Sequence, residues 1–138
     1  MGDAPAYVRL VLDRDPLLAL GAGFAVGFCA RRGGLSEQAS ADVKVAAEEA
    51  IRDTFELLSD GQQKLTVEVQ GFDDRVEVSL EHQGEALPTA GLDTFLLGGP
   101  ANAAGKVAGL SLMTRVDRVL YDTKNGTSRT TLVKYLKR

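Results

Sequence analysis

The chain has 138 residues, 16 Lys and Arg against 19 Asp and Glu, a formal net charge of −3 and a hydrophobic fraction of 44%. That profile predicts one soluble globular domain with a core of its own, and the negative balance speaks against direct nucleic-acid binding, which needs a basic footprint. One cysteine, Cys29, excludes an internal disulfide framework and a Cys-based zinc cluster, and one histidine, His82, excludes multi-His metal sites.

Tyr7 to Leu12 alternates, with Val8, Leu10 and Leu12 on one face, and reads as a short strand. Asp15-Pro16 then opens a helix, because the carboxylate can cap orphan amides and proline is tolerated at the first helical position. This helix is predicted to run to about Ala30 and to stop at Arg31-Arg32-Gly33-Gly34. Its apolar residues go nearly all the way round, so burial on more than one side is expected. Gly23 and Gly27 leave a smooth strip on which a second helix can lie close, and Cys29 reads as buried and inert. The apolar run from Pro16 to Ala30 is shorter than the roughly 18–20 residues of a membrane span. It follows Asp13 and Asp15, the wrong flank for a signal peptide. A cytoplasmic protein without membrane attachment is expected.

Ser36 opens a second helix with Glu37 and Gln38 in its first turn. Ala39, Val43, Ala46, Ala50 and Leu57 form its apolar stripe, broadened by Ile51, Phe55 and Leu58, and no glycine interrupts before Gly61. Two alternating runs follow, Lys64–Gln70 and Arg75–Glu81, joined across Gly71-Phe72-Asp73-Asp74 as a hairpin. Each alternates apolar with polar, so the sheet has one covered face and one wet face.

From Gln83 to Lys106 the pattern dissolves into glycines and prolines, and a structureless stretch of that length marks a lid or binding loop. Val107 to Val116 reads as a short helix. Asp117–Thr123 and Ser128–Leu136 read as strands joined across Lys124-Asn125-Gly126, and Asn-Gly is a strong hairpin signal. The order β-α-α-β-β-loop-α-β-β predicts an α+β two-layer sandwich, a mixed, mostly antiparallel sheet covered on one face by helices, as a single domain over residues 1–138.

Three segments, with the closing hairpin, carry a resemblance. VAAEEAIRDTFELL holds Glu49-Ala50 in a helix, LEHQGEALP follows the second central strand, AGKVAGLSLMTRVDRVLYD holds a Gly-x-x-x-Gly-Leu-x-Leu-Met box, and NGTSRTTLVKYLK closes the chain. With the element order, from about Tyr7 to Leu136, they resemble the small bacterial anti-sigma-factor serine/threonine kinases of the GHKL superfamily, the histidine-kinase-like ATPases of the Bergerat fold. The resemblance implies an ATP and Mg²⁺ site between the motif helix, the glycine box and a lid within Gln83–Lys106. It puts Gly105 and Gly109 at the phosphates, with Lys106 and Leu110 in the same box and Gly84 as the first glycine of the preceding motif. Glu49 takes the place of the general base. Asp53, one turn on, stands where the family has a Mg²⁺-binding asparagine.

Other positions depart from the pattern. His82 stands where the family has an aspartate that reads the adenine amino group, and Ala86 replaces the second glycine of that motif. Asp53 brings a further negative charge beside Glu48, Glu49 and Glu56. Read without the resemblance, Glu49 and Asp53 are a solvated helix face, His82 a strand-end residue and Lys106 an exposed loop lysine. The resemblance implies a homodimer that binds a sigma factor and phosphorylates a STAS-domain anti-anti-sigma protein. The alternatives are a non-catalytic pseudo-kinase that regulates transcription by protein binding without ATP, and a nucleotide sensor that transfers no phosphate.

Overall fold

Alternation and capping are realised as the sequence predicts. The computed structural model describes residues 7–58, 63–84 and 114–137. Strand β1 (Tyr7–Leu12) leads into helix α1 (Pro16–Arg32) and helix α2 (Glu37–Leu57), followed by strands β2 (Leu65–Gly71), β3 (Arg75–Gln83), β4 (Arg118–Lys124) and β5 (Thr127–Tyr135). Asp15 caps α1 by accepting from the Leu17 amide at 2.9 Å, and Ser36 Oγ caps α2 by accepting from the Ala39 amide at 3.1 Å. Each cap satisfies a donor that the first helical turn cannot pair internally. Gly33 ends α1 behind Arg31 and Arg32, whose charges suit the negative end of the helix dipole.

The strands form one five-stranded sheet in the order β1-β2-β3-β5-β4. Every pairing is antiparallel. The expectation of a mixed sheet is thereby corrected: the connection from β1 to β2 passes through two helices that run out and back, so β2 returns against β1 rather than along it. β3 also runs on past Glu81 to Gln83, because β5 begins directly after the tight turn and offers Ser128 to His82 and Thr127 to Gln83. At that turn Asn125 (φ 54°) and Gly126 (φ 77°) both occupy the left-handed region that a two-residue hairpin demands. Of the helix expected over Val107–Val116, Thr114 and Arg115 are helical. Residues 107–113 and most of the glycine-rich stretch lie outside the described residues.

Register sorts the side chains into two faces. On one, Leu65, Val67, Val69, Val76, Val78, Leu80 and Leu132 meet Val26, Val43, Ile51 and the inward-facing alanines of both helices, such as Ala22, Ala46 and Ala50, all buried. On the other, Arg9 pairs with Glu68 at 3.7 Å, and Arg129 bridges Glu68 at 3.4 Å and Glu81 at 3.3 Å. One face is covered and one is polar, as the alternation implies.

The helices pack closely because α1 presents glycines to α2. A Cβ at Gly23 would stand 3.3 Å from Glu48 Cβ, and one at Gly27 3.2 Å from Lys44 Cβ. The smooth strip does what its spacing predicts. The expectation that α1 is buried on more than one side does not hold, since Leu17, Phe24 and Phe28 are exposed. With a single helix layer, the stripe opposite the sheet has nothing above it among the described residues. Among those residues, too, no helix is long and apolar enough to cross a membrane.

Candidate functional site

The buried stripe of α2 is Ala39, Val43, Ala46, Ala47, Ala50, Ile51, Thr54 and Phe55, with Ser40 beside it. Relative to that stripe, Lys44 and Glu48 fall on the edge beneath α1. Glu49 and Asp53, one turn apart, fall on the opposite edge, and Asp42 lies two turns before Glu49 on the same line. All three are half-buried. The structure therefore stacks the two carboxylates singled out in the sequence, while Glu48 turns away to hold Arg52 at 2.6 Å.

This edge is electrostatically crowded. The Asp53 carboxyl is pushed up to about 6, first by burial and then by the negative charges of Glu56 and Glu49. At neutral pH its ionised form is costly unless a cation joins it. Asp42, not singled out in the sequence, faces Arg115 at 3.8 Å, and Lys134 Nζ donates to the Arg115 carbonyl at 3.2 Å. The seven-residue spacing from Asp42 to Glu49 was the available signal, but the basic partner comes from a distant segment.

A second cluster sits where β3 ends. His82 continues the series Val76, Val78, Leu80 on the helix-covered face and is 5% exposed. Its Nδ1 lies 2.8 Å from the Gln83 carbonyl. A carbonyl only accepts, so Nδ1 carries the hydrogen, and in the Nδ1–H tautomer Nε2 is an acceptor. That Nε2 is buried and has no hydrogen-bond partner among the described residues. His82 is thus a strand-end residue, next to last in β3, and its ring is buried on the covered face.

Gly84, next in line, has φ +106°, with open space where a Cβ would stand. Its amide donates to the Gly126 carbonyl at 2.7 Å, and its carbonyl accepts from Ser128 Oγ at 2.6 Å. Both backbone groups of Gly84 are engaged in fixing the strand end, which leaves its amide no hydrogen to offer a phosphate. Gly105, Lys106, Gly109 and Leu110, and Ala86 with them, lie outside the described residues.

Two clefts among the described residues are elsewhere. One of about 280 Å³ is lined by Arg14, Pro16, Arg52, Phe55 and Glu56, and one of about 450 Å³ lies between the start of α2 and the end of β5. Neither is lined by Glu49, Asp53 or His82. Cys29 is half-buried, and burial pushes its thiol up, which makes it a poor nucleophile.

The donor set fits a Mg²⁺–nucleotide in kind. No group of three or more His, Cys, Asp or Glu that could hold a metal ion occurs among the described residues. Magnesium, however, is ordinarily held by one or two carboxylates together with phosphates and water, and Glu49 and Asp53 supply such carboxylates. His82 Nε2 offers an acceptor to an amino group. A scan against protein-family models finds none that matches this chain, and a search of curated proteins finds no similar one.

Proposed function

We propose that this chain is an anti-sigma-factor-like regulatory domain of the GHKL fold, a cytoplasmic homodimer that binds a sigma factor and a STAS-domain anti-anti-sigma protein and takes Mg²⁺-ATP beside α2. The observation that carries this reading is the orphaned Nε2 of His82. It is an acceptor held in place by the Gln83 carbonyl, on the same side of the sheet as the Glu49–Asp53 edge. A buried acceptor left unmatched costs about 1–3 kcal/mol, a cost that an amino donor from a bound base removes.

Mg²⁺-ATP, when bound, supplies the transferable phosphoryl group and the cation that neutralises its charge. The chain's own residues orient and exchange protons. Glu49, half-buried on the α2 edge, would take the proton of an incoming serine or threonine hydroxyl. Asp53, whose ionised form is disfavoured at rest, gains most from a cation and is the metal-holding residue. His82 would hold the base by accepting from its amino group, the work that an aspartate does in the family this chain resembles.

Calorimetric titration with ATP, with and without Mg²⁺, tests the reading. Binding is expected in the micromolar range, dependent on Mg²⁺ and weakened at least tenfold by Asp53→Ala. No heat up to millimolar ATP from a folded protein overturns the nucleotide reading. The reading left is then the non-catalytic domain that acts by protein binding alone.

A further inference from the structure

From Pro16 to Ala30, α1 carries no charged side chain. Its inner stripe, including Ala19, Ala22, Val26 and Ala30, is buried in the core. The opposite stripe consists of Leu17, Leu20, Gly21, Phe24 and Phe28, and its large side chains are 75%, 38%, 60% and 68% exposed in that order. Lys44 Nζ lies over one face of the Phe24 ring, 4.2 Å from its centroid, and the side chain remains 60% exposed. Two aromatic rings and two leucines in line make a contiguous apolar patch, and patches of that kind mark interaction surfaces.

We propose that this stripe is the contact between two copies of the chain, α1 packed antiparallel on α1 about a two-fold axis. Such an interface must be complementary to itself, and the sequence of the stripe meets that condition. A register that sets Leu17 against Phe28 also sets Gly21 against Phe24, so that each ring meets either a leucine or a gap. The space where a Gly21 Cβ would stand is empty, with no atom within 4 Å, so a ring from the second copy can reach the helix backbone there.

The same register brings the charges at the ends of α1 together with opposite sign. Asp13, before the helix, comes to face Arg32, at its last turn. Arg32 has no ion pair among the described residues, and Asp13 shares an exposed bridge with Lys64 that leaves most of its carboxylate in water. Antiparallel packing also opposes the two helix dipoles favourably.

The area suffices. Aromatic side chains bury roughly 150–250 Å² each, so the stripe offers on the order of 400 Å² of apolar surface per copy. Two such patches supply the apolar centre of an interface of about 1,200–2,000 Å², whose rim is polar. A lipid surface is a poorer match. A helix lying in a bilayer interface needs a basic polar face, whereas the far side of α1 is the protein core and the chain carries a net charge of −3.

The inference rests on the homodimer within the proposed function and deepens it, but it requires nothing of the nucleotide site. Sedimentation velocity of the full chain across a concentration series tests it. The wild type is expected to form a dimer that Phe24→Glu combined with Phe28→Glu turns into a monomer. Gly21→Gln is expected to weaken dimerisation at least tenfold by filling the gap, while keeping the circular dichroism of the monomer and without lowering its melting temperature. Asp13→Arg and Arg32→Asp are each expected to weaken it severalfold, and together to restore it. A wild type that stays monomeric, or a dimer indifferent to these changes, overturns the proposal. So does co-sedimentation of the wild type with anionic vesicles that the Phe24/Phe28 variant loses, which assigns the stripe to lipid. Titration of the Phe24/Phe28 variant with ATP keeps the two readings apart, because unchanged nucleotide binding by a monomer separates failure of the dimer from failure of the site.

Discussion

Helices α1 and α2 lie side by side on one sheet, yet they leave opposite surfaces exposed. α1 buries alanines and glycines and shows leucine and phenylalanine outward. α2 buries alanine, valine and isoleucine and keeps carboxylates along its free edge. The contrast shows that burial follows contact geometry rather than hydrophobicity. Close packing against α2 requires small residues on the inner side of α1, so its large apolar side chains are left on the outer side. α2 has surplus negative charge where α1 has surplus apolar surface, and each surplus calls for a different ligand, a cation for one and a second apolar face for the other.

Enlarging the inner glycines has the largest expected effect. Gly27→Val puts a branched side chain where a Cβ is already 3.2 Å from Lys44 Cβ. Forcing the helices apart is expected to cost about 2–3 kcal/mol, read as a lowered midpoint in urea unfolding. A cost below the error of the midpoint would mean that the α1–α2 contact is looser than described.

Next in size is the α2 edge. The carboxyl of Asp53 is raised in the folded chain to about 6 from an ordinary value near 3.8. Between these values the folded state holds more protons than the unfolded one, so stability falls as pH rises through that window and the loss is complete above it. Asp53→Asn removes the cost. It is expected to stabilise the protein by about 1–2 kcal/mol at pH 7.5, after allowance for solvent screening of a half-buried group, and to change little at pH 3.5. Paired denaturant titrations at the two pH values check this, and equal effects at both would contradict a raised carboxyl.

The smallest effect lies within α1 itself. Gly21 has empty space around it, whereas Gly23 and Gly27 do not. Gly21→Ala is therefore expected to raise stability by about 0.5–1 kcal/mol through helix propensity. Thermal unfolding at a concentration where the protein is monomeric measures it, and a loss of stability would show that the site is not open.

Much of the fold was legible because its signals are local. Asp15-Pro16 and Ser36 start helices through bonds within three residues, Asn125-Gly126 meets the backbone requirement of its own turn, and the alternation in β2 and β3 reports their two faces directly. The strand order and the uniformly antiparallel sheet depend on how far the two helices carry the chain before it returns, which no window of sequence holds. The outward face of α1 was hidden for a related reason: a helix apolar all round gives no phase, so nothing local says which side meets the core.

The site was legible in part. Helical spacing alone places Glu49 above Asp53. The raised carboxyl of Asp53 depends on burial contributed by other elements, and Asp42 pairs with Arg115 across more than seventy residues. The fate of His82 turned on two extra residues of β3, which carry the ring into the ladder beside Ser128. The face His82 takes follows from the alternation of Val76, Val78 and Leu80, whereas its burial depends on β5 and the helices lying against that end of the strand.

The most direct test of the proposed site compares ATP with inosine triphosphate, whose base carries a carbonyl in place of the amino group, by calorimetry in Mg²⁺ on the wild type and on His82→Leu. With His82 Nε2 accepting from the amino group, the wild type is expected to prefer ATP by about tenfold to a hundredfold, and His82→Leu to bind the two alike. Equal affinities in the wild type, or a preference that survives His82→Leu, would contradict the reading of this histidine and of the site built around it.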